Sequence, residues 1–460
     1  MRILKFGGSS VQDAVKIRHV ISLVQKAEKG GGKLCVVCSA MKGVTDELIR
    51  AAKTAEAGSA DYCGIIAGIR DRQVRAVEGL FPEAGRERAL APLLADCGEL
   101  LDILHGIELV RECSLRSLDL VMSFGERLNC RLIASAMESG GMAASYFDAR
   151  GLIVTDDHFG SGRVNFKASY RKIGRRLCAA KGIAFVTGFI AATPEGVTTT
   201  LGRNGSDYTA AILAAALNAD CLEVWKDVDG VLSADPTVVK DAFVIDEVSY
   251  EEAMEMSFFG AEIIHPYTMR PILERDIPLL VRNTMNPGAP GTRIARNIRR
   301  HSRPITNIAS IEDVALVNVE GSGMMGMPGI ASRVFAALAK ADVNVIMISQ
   351  ASSEHSICIV FRADQAKRAL AGLKAELTRE LEARQIENFQ LIKDLEIVAV
   401  IGENMRGTPG LSGRLFSALG KKKINVLAIA QGSSERNISF VVEGRDRREA
   451  INTVHRAFFR

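Results

Sequence analysis

The chain has little that would tie it to a metal, a membrane or a nucleic acid. Its seven histidines never fall at ligand spacing, so no metal site is expected from the protein's own side chains. No uninterrupted apolar run approaches ~18 residues, so no segment is expected to span a membrane. The charged start Met1-Arg2 meets glycines after only a few apolar residues, too soon for a secretory signal. Neither sign of charge predominates: a net +4 over 460 residues suits small anionic ligands and does not suggest a nucleic-acid partner. The nine cysteines are odd in number and scattered, which argues for reduced thiols in the cytoplasm. Cys35 and Cys38 have the spacing of a thiol pair, but on a strand residues three apart face opposite ways, so both read as core.

What is present is an apolar fraction of 47%, ample core for two or three domains. From residue 1 to about 295, short apolar strands (Lys33 to Cys38, Ala144 to Phe147, Ile183 to Thr187, Cys221 to Trp225, Pro278 to Val281) alternate with helical patterns such as 124–139 and 207–217. That alternation predicts an α/β domain, a mainly parallel sheet covered by helices on both faces. Ligands of such sheets bind beyond the C-terminal strand ends, where Lys5 and Ser39 fall. Residues 46–116 read as an appended helical hairpin. The run Asn286-Pro287-Gly288-Ala289-Pro290-Gly291 breaks the pattern, and the basic stretch after it reads as a solvated linker.

The C-terminal third is a duplication. Gly321, Pro328, Gly329, Arg333, Phe335, Leu338, Asn344, Val345, Ile348, Gln350, Ser352, Ser353 and Glu354 recur 81 positions on as Gly402, Pro409, Gly410, Arg414, Phe416, Leu419, Asn425, Val426, Ile429, Gln431, Ser433, Ser434 and Glu435. Each copy reads as strand, Pro-Gly loop, helix (about 329–340 and 410–421), two strands and a second helix. The first copy can close with a strand near Phe389 to Ile392, whereas the second stops after its last helix. Thr306 to Ser310 is short and apolar enough to supply the missing strand. The first module is therefore expected to be inserted into the second.

Lys5-Phe6-Gly7-Gly8-Ser9-Ser10 follows an apolar strand start. A lysine, two residues without Cβ and two hydroxyls let backbone N–H groups approach a phosphate beside a positive charge. The periodic segment from Val11 onward places this loop at a helix N-terminus, which also favours an anion. Alone, the loop could equally be an ordinary strand-to-helix glycine turn. Four further polar segments fall at strand ends or helix starts: Ser39-Ala40-Met41-Lys42-Gly43-Val44-Thr45, Ser123-Phe124-Gly125-Glu126-Arg127, Leu201-Gly202-Arg203-Asn204-Gly205-Ser206-Asp207, and Lys226-Asp227-Val228-Asp229-Gly230 with the residues to Pro236. Ser-x-x-Glu at 123–126 is also a capping box, and Asp207 alone is also a helix N-cap.

The order of these motifs, completed by Trp225 before Lys226-Asp227 and by Phe259-Gly260-Ala261-Glu262-Ile263-Ile264-His265-Pro266, resembles the aspartokinase family of amino-acid kinases over essentially the whole chain. The match is nearest to the threonine-sensitive type often fused to homoserine dehydrogenase, here expected without the dehydrogenase part. The resemblance implies an amino-acid kinase fold, an open αβα sandwich, over 1–298. Two ACT domains of ferredoxin-like βαββαβ form would follow at 304–385 and 386–460, with 304–312 donated to the second. It implies phosphorylation of the L-aspartate side-chain carboxylate by ATP with Mg²⁺, the first step of lysine, threonine and methionine biosynthesis, in the cytoplasm.

By the same resemblance Lys5, Arg203 and Asp207 are catalytic: Lys5 with the Gly7, Gly8 and Ser9 loop meets the phosphates, Asp207 orients Lys5, and Arg203 forks onto a substrate carboxylate. Ser39, Thr45 and Ser206 hydrogen-bond aspartate, and Glu126 takes its ammonium group. Lys226, Asp227, Leu232, Thr237 and Glu262 fall to the nucleotide. Many relatives carry an aromatic residue at Leu232, arginine at Thr237 and lysine at Glu262, so either Lys226 supplies the missing charge or Glu262 points away. Effector contacts fall on Met324, Gly329, Ile330, Asn344, Ile346, Gln350, Asn425 and Gln431. Lysine-sensitive relatives have aspartate at Ile346, so threonine is the expected effector, with Glu354 and Glu435 keeping lysine as the alternative. ACT modules pair, which implies a homodimer or dimer of dimers. The alternatives are another amino-acid kinase and a catalytically impaired amino-acid sensor on a kinase scaffold.

Overall fold

The computed structural model describes residues 1–260, 266–298, 303–324, 329–350 and 355–460. By internal packing the chain forms two units: Met1–Val231 with Asp246–Tyr250 and Ile264–Ile298, and Leu232–Ile245 with Glu251–Ile263 and Arg299–Arg460.

The first unit is the expected α/β domain. Its strands are β1 (Arg2–Phe6), β2 (Leu34–Cys38), β3 (Ala144–Phe147), β4 (Ile183–Thr187), the short pair β5 (Ile190–Ala192) and β6 (Thr198–Thr200), then β7 (Cys221–Lys226), β8 (Glu247–Ser249), β9 (Leu279–Asn283) and β10 (Thr292–Ala295). Eight of them form one sheet in the order β3-β4-β2-β1-β7-β9-β10-β8, and β5 pairs only with β6. The six strands from β3 to β9 in that order are parallel, and β10 runs antiparallel to β9. Every residue of β2 and β4 is buried, as expected for strands covered on both faces.

One face carries α1 (Ala14–Lys29), α2 (Val44–Glu56), α3 (Tyr62–Leu80), α4 (Glu83–Val110) and α5 (Leu115–Ser139), whose apolar sides share a core with Leu4, Phe6, Leu34, Val36 and Cys38. Of the remaining helices, α6 (Phe166–Leu177) packs on α7 (Gly205–Ala216), which in turn lies on β1, β2 and β7. The stretch expected to be a helical hairpin is divided more finely. Gly58 at φ 75° ends one helical run, and Pro82, which cannot donate an N–H, stands at the N-cap of α4.

The second unit holds a single six-stranded antiparallel sheet, made of β11 (Asn307–Glu320), β12 (Val345–Gln350), β13 (Ser356–Arg362), β14 (Asn388–Ile401), β15 (Ala428–Gln431) and β16 (Asn437–Glu443), in the order β12-β13-β11-β14-β16-β15. Two long strands at its centre serve both modules. Val314–Glu320 of β11 pairs with β13, while Asn307–Ile311 pairs with Ile397–Ile401 of β14, the part that β16 extends. Asp313 and Asp394, 81 positions apart like the rest of the repeat, sit at φ 55° and 56° where the pairing changes over. Each module has its own core. One gathers Val334, Leu338, Ile359 and Leu373, the other Leu415, Leu419, Phe440 and Val454.

Packing departs from a boundary drawn at residue 298. Ala234, Val238 and Val239 lie in the core of the second module with Ile305, Ile308 and Leu411, which is why Leu232–Ile245 groups with the C-terminal unit. Cys35, Cys38 and Cys130 are buried free thiols, and burial pushes Cys35 up to about 12. No helix among the described residues is long and apolar enough to cross a membrane.

Candidate active site

Parallel register brings the polar loops to one edge of the first sheet. Phe6, Cys38 and Trp225 are partners across β1, β2 and β7, and Cys38 pairs with Thr187 at the end of β4. The residues that follow, Gly7, Ser39, Gly188 and Lys226, therefore emerge side by side. Backbone bonds then join the loops: Ser39 N–H donates to Phe6 O (3.3 Å), Lys42 N–H to Gly8 O (3.2 Å) and Gly188 N–H to Cys38 O (2.9 Å).

Gly8 has to be glycine, because a Cβ there would stand 2.8 Å from Ala40 O. Gly125 is equally constrained: a Cβ would lie 2.9 Å from that of Ala40, so α5 can approach the 39–45 loop only without a side chain there. The expectation that the glycine loop opens directly onto α1 is not met. A three-residue turn, Gly8–Ser10, intervenes, and α1 begins at Ala14 with Asp13 as its N-cap, accepting from Lys16 N–H at 2.9 Å. The start of α1 already carries a carboxylate, so of the groups expected to attract an anion Lys5 and the loop amides remain.

Lys5 Nζ lies 2.5 Å from Asp207 Oδ1, and both side chains are buried. Asp207 is not a cap, since α7 begins at Gly205 and Asn204 at φ 55° takes the N-cap position. The start of α7 is pressed onto the turn after β4. A Cβ on Gly188 would come within 2.5 Å of Ser206 Oγ, and one on Gly205 within 2.6 Å of Phe189 Cδ2. Ser206 and Asp207 are thus held against the ends of β1 and β4.

Glu126 is buried, with Oε1 accepting from Ala40 N–H at 3.3 Å and Oε2 without a hydrogen-bond partner among the described residues. Burial pushes its carboxyl up to about 8, against the opposing pull of the Ala40 N–H and the Lys5 charge. The capping-box alternative is excluded by position: α5 starts at Leu115, capped by Ser114, and Ser123 lies mid-helix with its hydroxyl on Leu120 O (2.7 Å). Next to it Arg127 turns the other way, donating to Asp96 (2.9 Å) and Glu99 (3.1 Å) with its guanidinium 4.2 Å from the Phe124 ring. That anchor to α4 leaves Glu126 facing the sheet edge. Asn129, one turn on, donates to Ser39 O at 2.7 Å.

Thr45 sits half-buried in the first turn of α2, after Gly43 at φ 83°. Arg203 is exposed and makes no ion pair among the described residues. Ser9 lies in the short turn after Gly7, its carbonyl accepting from Lys16 Nζ at 3.0 Å. Lys226 ends β7 and Asp227 is exposed beyond it. Asp229 accepts from Asn283 (2.7 Å) and Asn286 (3.0 Å), which fixes the loop after β7 to the loop after β9. Leu232 and Thr237 belong by packing to the second unit, where Leu232 O accepts from Asn307 (2.7 Å) and Asp235 Oδ1 accepts from Thr237 N–H (2.8 Å). Glu262 lies outside the described residues.

Of the expected effector residues, Met324 and Ile330 are buried in the first module, Gly329 takes φ 94° before the helix Ile330–Lys340, and Ile346 is half-buried. Asn344, Gln350, Asn425 and Gln431 are exposed, with Gln350 and Gln431 ending β12 and β15. Ser349 Oγ donates to Ile429 O at 2.8 Å, so the two modules meet along these strands.

Sequence reasoning missed Asp119. Fully buried on α5, it accepts from Gly160 N–H (2.9 Å), Thr200 N–H (3.0 Å) and Thr200 Oγ (2.7 Å), and burial raises its carboxyl against those three donors. Its one local hint is an acidic residue set among Leu118, Leu120 and Val121, two turns before Glu126.

Residues 1–283 match the model of the amino acid kinase family, and residues 317–377 and 398–458 match an ACT domain. The chain is 37% identical over 463 residues to bifunctional aspartokinase/homoserine dehydrogenase 1, chloroplastic, of Arabidopsis thaliana, covering 99% of this chain and 50% of that protein. It spans about half the length of the bifunctional relatives that it matches. Aspartokinase 1, chloroplastic, of the same plant is 32% identical over 468 residues, with coverage of 99% and 80%. Among solved structures, E. coli aspartokinase III in complex with aspartate and ADP (R-state) superposes with a TM-score of 0.81 at 28% identity, covering 100% of both chains. The same enzyme with lysine and aspartate (T-state) gives 0.80.

Proposed function

The chain belongs to the aspartokinase family, a branch of the amino acid kinases that carries ACT domains, and from that membership we propose that it transfers the γ-phosphoryl group of ATP to the side-chain carboxylate of L-aspartate. The products are 4-phospho-L-aspartate and ADP, which places the reaction at the head of lysine, threonine and methionine biosynthesis, in the cytoplasm. The nucleophile is ionised at neutral pH, so the barrier is electrostatic rather than one of deprotonation. Two unit charges of like sign ~4 Å apart repel by roughly 4 kcal/mol at an effective dielectric of ~20.

The observation that carries the reading is the buried Lys5–Asp207 pair beside Gly7 and Gly8 at the C-terminal edge of β1. Asp207 holds the ammonium in place, and the cation with the loop amides offsets the charge that two anions bring together. ATP is taken as its Mg²⁺ complex, the metal travelling with the phosphates as part of the substrate. Among the described residues Glu126 Oε2 has no hydrogen-bond partner and Arg203 no ion pair, so the first suits the ammonium of aspartate and the second a carboxylate. Ser39, Thr45 and Ser206 supply hydroxyls nearby, and Lys226 and Asp227 flank the nucleotide. An ADP-release assay with and without L-aspartate tests this: turnover that requires aspartate and disappears in Lys5→Ala supports it. ADP release indifferent to aspartate counts against it.

We assign the ACT modules to feedback by a neutral, hydrogen-bonding amino acid, with L-threonine favoured by the exposed amides of Gln350 and Gln431 and by Ile346 where a lysine ammonium would need a carboxylate. The E. coli relative is solved with lysine, so lysine is the comparison arm of the titration. Threonine inhibition lost in Gln431→Ala supports the assignment; a flat threonine titration beside lysine inhibition reverses it. The modules pair chains into a homodimer or dimer of dimers. Glu262 in place of a phosphate-binding lysine favours a second reading, an impaired enzyme retained as an amino-acid sensor. Wild-type protein that binds threonine without turning over aspartate would establish it.

A further inference from the structure

We propose that Asp119 is a positioning residue that sets the separation between Glu126 and Arg203, and with it the fit of the site to an α-amino acid. The proposal deepens the reading above and rests on it, because it takes Glu126 as the partner of the substrate ammonium and Arg203 as the partner of a substrate carboxylate.

Asp119 and Glu126 are seven residues apart on α5, two turns along one face of a rigid helix. From that helix the Asp119 carboxylate reaches both walls of the turn that presents Arg203. Its Oδ1 and Oδ2 take the hydroxyl (2.7 Å) and N–H (3.0 Å) of Thr200, the last residue of β6 and three before Arg203. Oδ2 also takes the N–H of Gly160 at 2.9 Å. The loop around Gly160 packs on the base of the turn, since a Cβ on Gly202 would lie 3.4 Å from both Gly160 O and Ser161 Cβ. Arg203 has no ion pair of its own among the described residues, so the turn decides from where its side chain reaches toward a carboxylate.

The residue type follows from the donors. Three of them converge on one fully buried group, and only a carboxylate accepts all three without presenting a donor of its own. Asparagine could keep its oxygen on the two backbone N–H groups only by turning its NH₂ toward the Thr200 hydroxyl, which then loses its acceptor and leaves at least one donor unpaired. The phosphate side has anchors of its own, the bond between Lys42 N–H and Gly8 O and the Lys5–Asp207 pair, so a change at Asp119 is expected to reach it less than it reaches Arg203.

Steady-state kinetics on the full chain, varying aspartate and ATP separately, tests the proposal through a double-mutant cycle. Asp119→Asn is expected to raise KM for aspartate about tenfold, the weakening of roughly one hydrogen bond between the displaced Arg203 and the substrate carboxylate, with KM for ATP within about twofold of wild type. In an Arg203→Ala background the same change is expected to add less than about twofold, because Asp119 acts through the residue already removed. Thr200→Val, which deletes one of the three donors, is expected to fall between, and Thr200→Ser to behave as wild type; this pair carries the test if Asp119→Asn does not fold. Equal rises in KM for both substrates, or full additivity with Arg203→Ala, overturn the positioning role while leaving the kinase reading intact. An Arg203→Ala variant with unchanged KM for aspartate removes the reading beneath it, and the proposal with it.

Discussion

Lys5 and Asp207 come from the first strand and the seventh helix of the chain, yet their charged atoms stand 2.5 Å apart with both side chains more than nine-tenths buried. A pair in such surroundings is costly to break because the partner left behind keeps its charge without a counter-charge. Lys5→Ala is therefore expected to do two separable things. It should destabilise the first unit by about 3 kcal/mol, read as a shift of the urea midpoint, and lower kcat by about 100-fold or more. The double variant Lys5→Met with Asp207→Leu should recover much of the stability and none of the turnover. Recovery of activity in that variant would mean the pair is structural only.

Gly7 and Gly8 differ in what a methyl group would meet. At Gly7 the nearest atom is Lys5 Nζ, 3.5 Å from the added Cβ, which is ordinary contact with the end of a flexible chain; at Gly8 it is Ala40 O at 2.8 Å with Lys42 N at 3.3 Å. Gly8→Ala should push the first loop away from the 39–45 loop and reduce kcat/KM for ATP at least about tenfold more than Gly7→Ala does. Equal effects of the two substitutions would show that the close approach of these loops is not what positions the phosphates.

How far the sequence spoke can be judged at these same residues. The strand ends carrying Lys5 and Ser39, and the helix carrying Asp207, were legible because apolar periodicity and glycine placement are local signals. The start of α1 was misplaced because Val11 continues the apolar period, whereas Asp13 supplies the cap that stops the helix from beginning earlier. Thr306 to Ser310 looked like a separate short strand since Glu312-Asp313 interrupts the apolar run. In the fold Asn307 to Ser310 opens β11, which is carried through the interruption by Asp313 at φ 55°. Asp119 was invisible for a different reason: its three donors come from segments 41 and 81 residues away, and no local pattern encodes them.

Glu126 should make both substrate binding and stability depend on pH. With its carboxyl pushed up to about 8, the group is largely protonated at neutral pH, and in its proposed role an arriving ammonium must displace that proton. KM for aspartate is expected to fall as pH rises from 6.5 to 8.5, while Glu126→Gln should show a higher KM that no longer responds over this range. The stability sign is the opposite. An acid whose folded value lies above its unfolded 4.5 contributes fully below 4.5, and that contribution is lost as pH rises through about 8. Urea midpoints of wild type should therefore fall toward pH 8.5 relative to those of Glu126→Gln. A KM profile shared by both proteins would show that another group titrates.

His455 offers the mirror case in the second unit. Its ring is buried in the final helix, Arg447–Phe459, with Nε2 3.1 Å from Ser233 Oγ, and Ser233 in turn accepts from Phe243 N–H at 3.1 Å. Burial lowers its pKa below 6.5, Asp241 opposes that, and Arg460 and Arg303 add to it. In a fold that resists protonation while the unfolded chain accepts it, stability is present above 6.5 and is lost as pH falls below 6.5 toward the folded value. Hydrogen exchange of the 447–459 helix, corrected for the intrinsic pH dependence of exchange, should show protection dropping between pH 7.5 and 5.5 in wild type. In His455→Gln, which keeps a polar group but cannot titrate, protection should be lower at pH 7.5 and flat across the range. The segment Leu232–Ile245 carries both Ser233 and the expected nucleotide residues Leu232 and Thr237, so loss of protection should spread to that segment as well. If exchange in 232–245 stays constant while the helix opens, the final helix and this loop are not held together through His455.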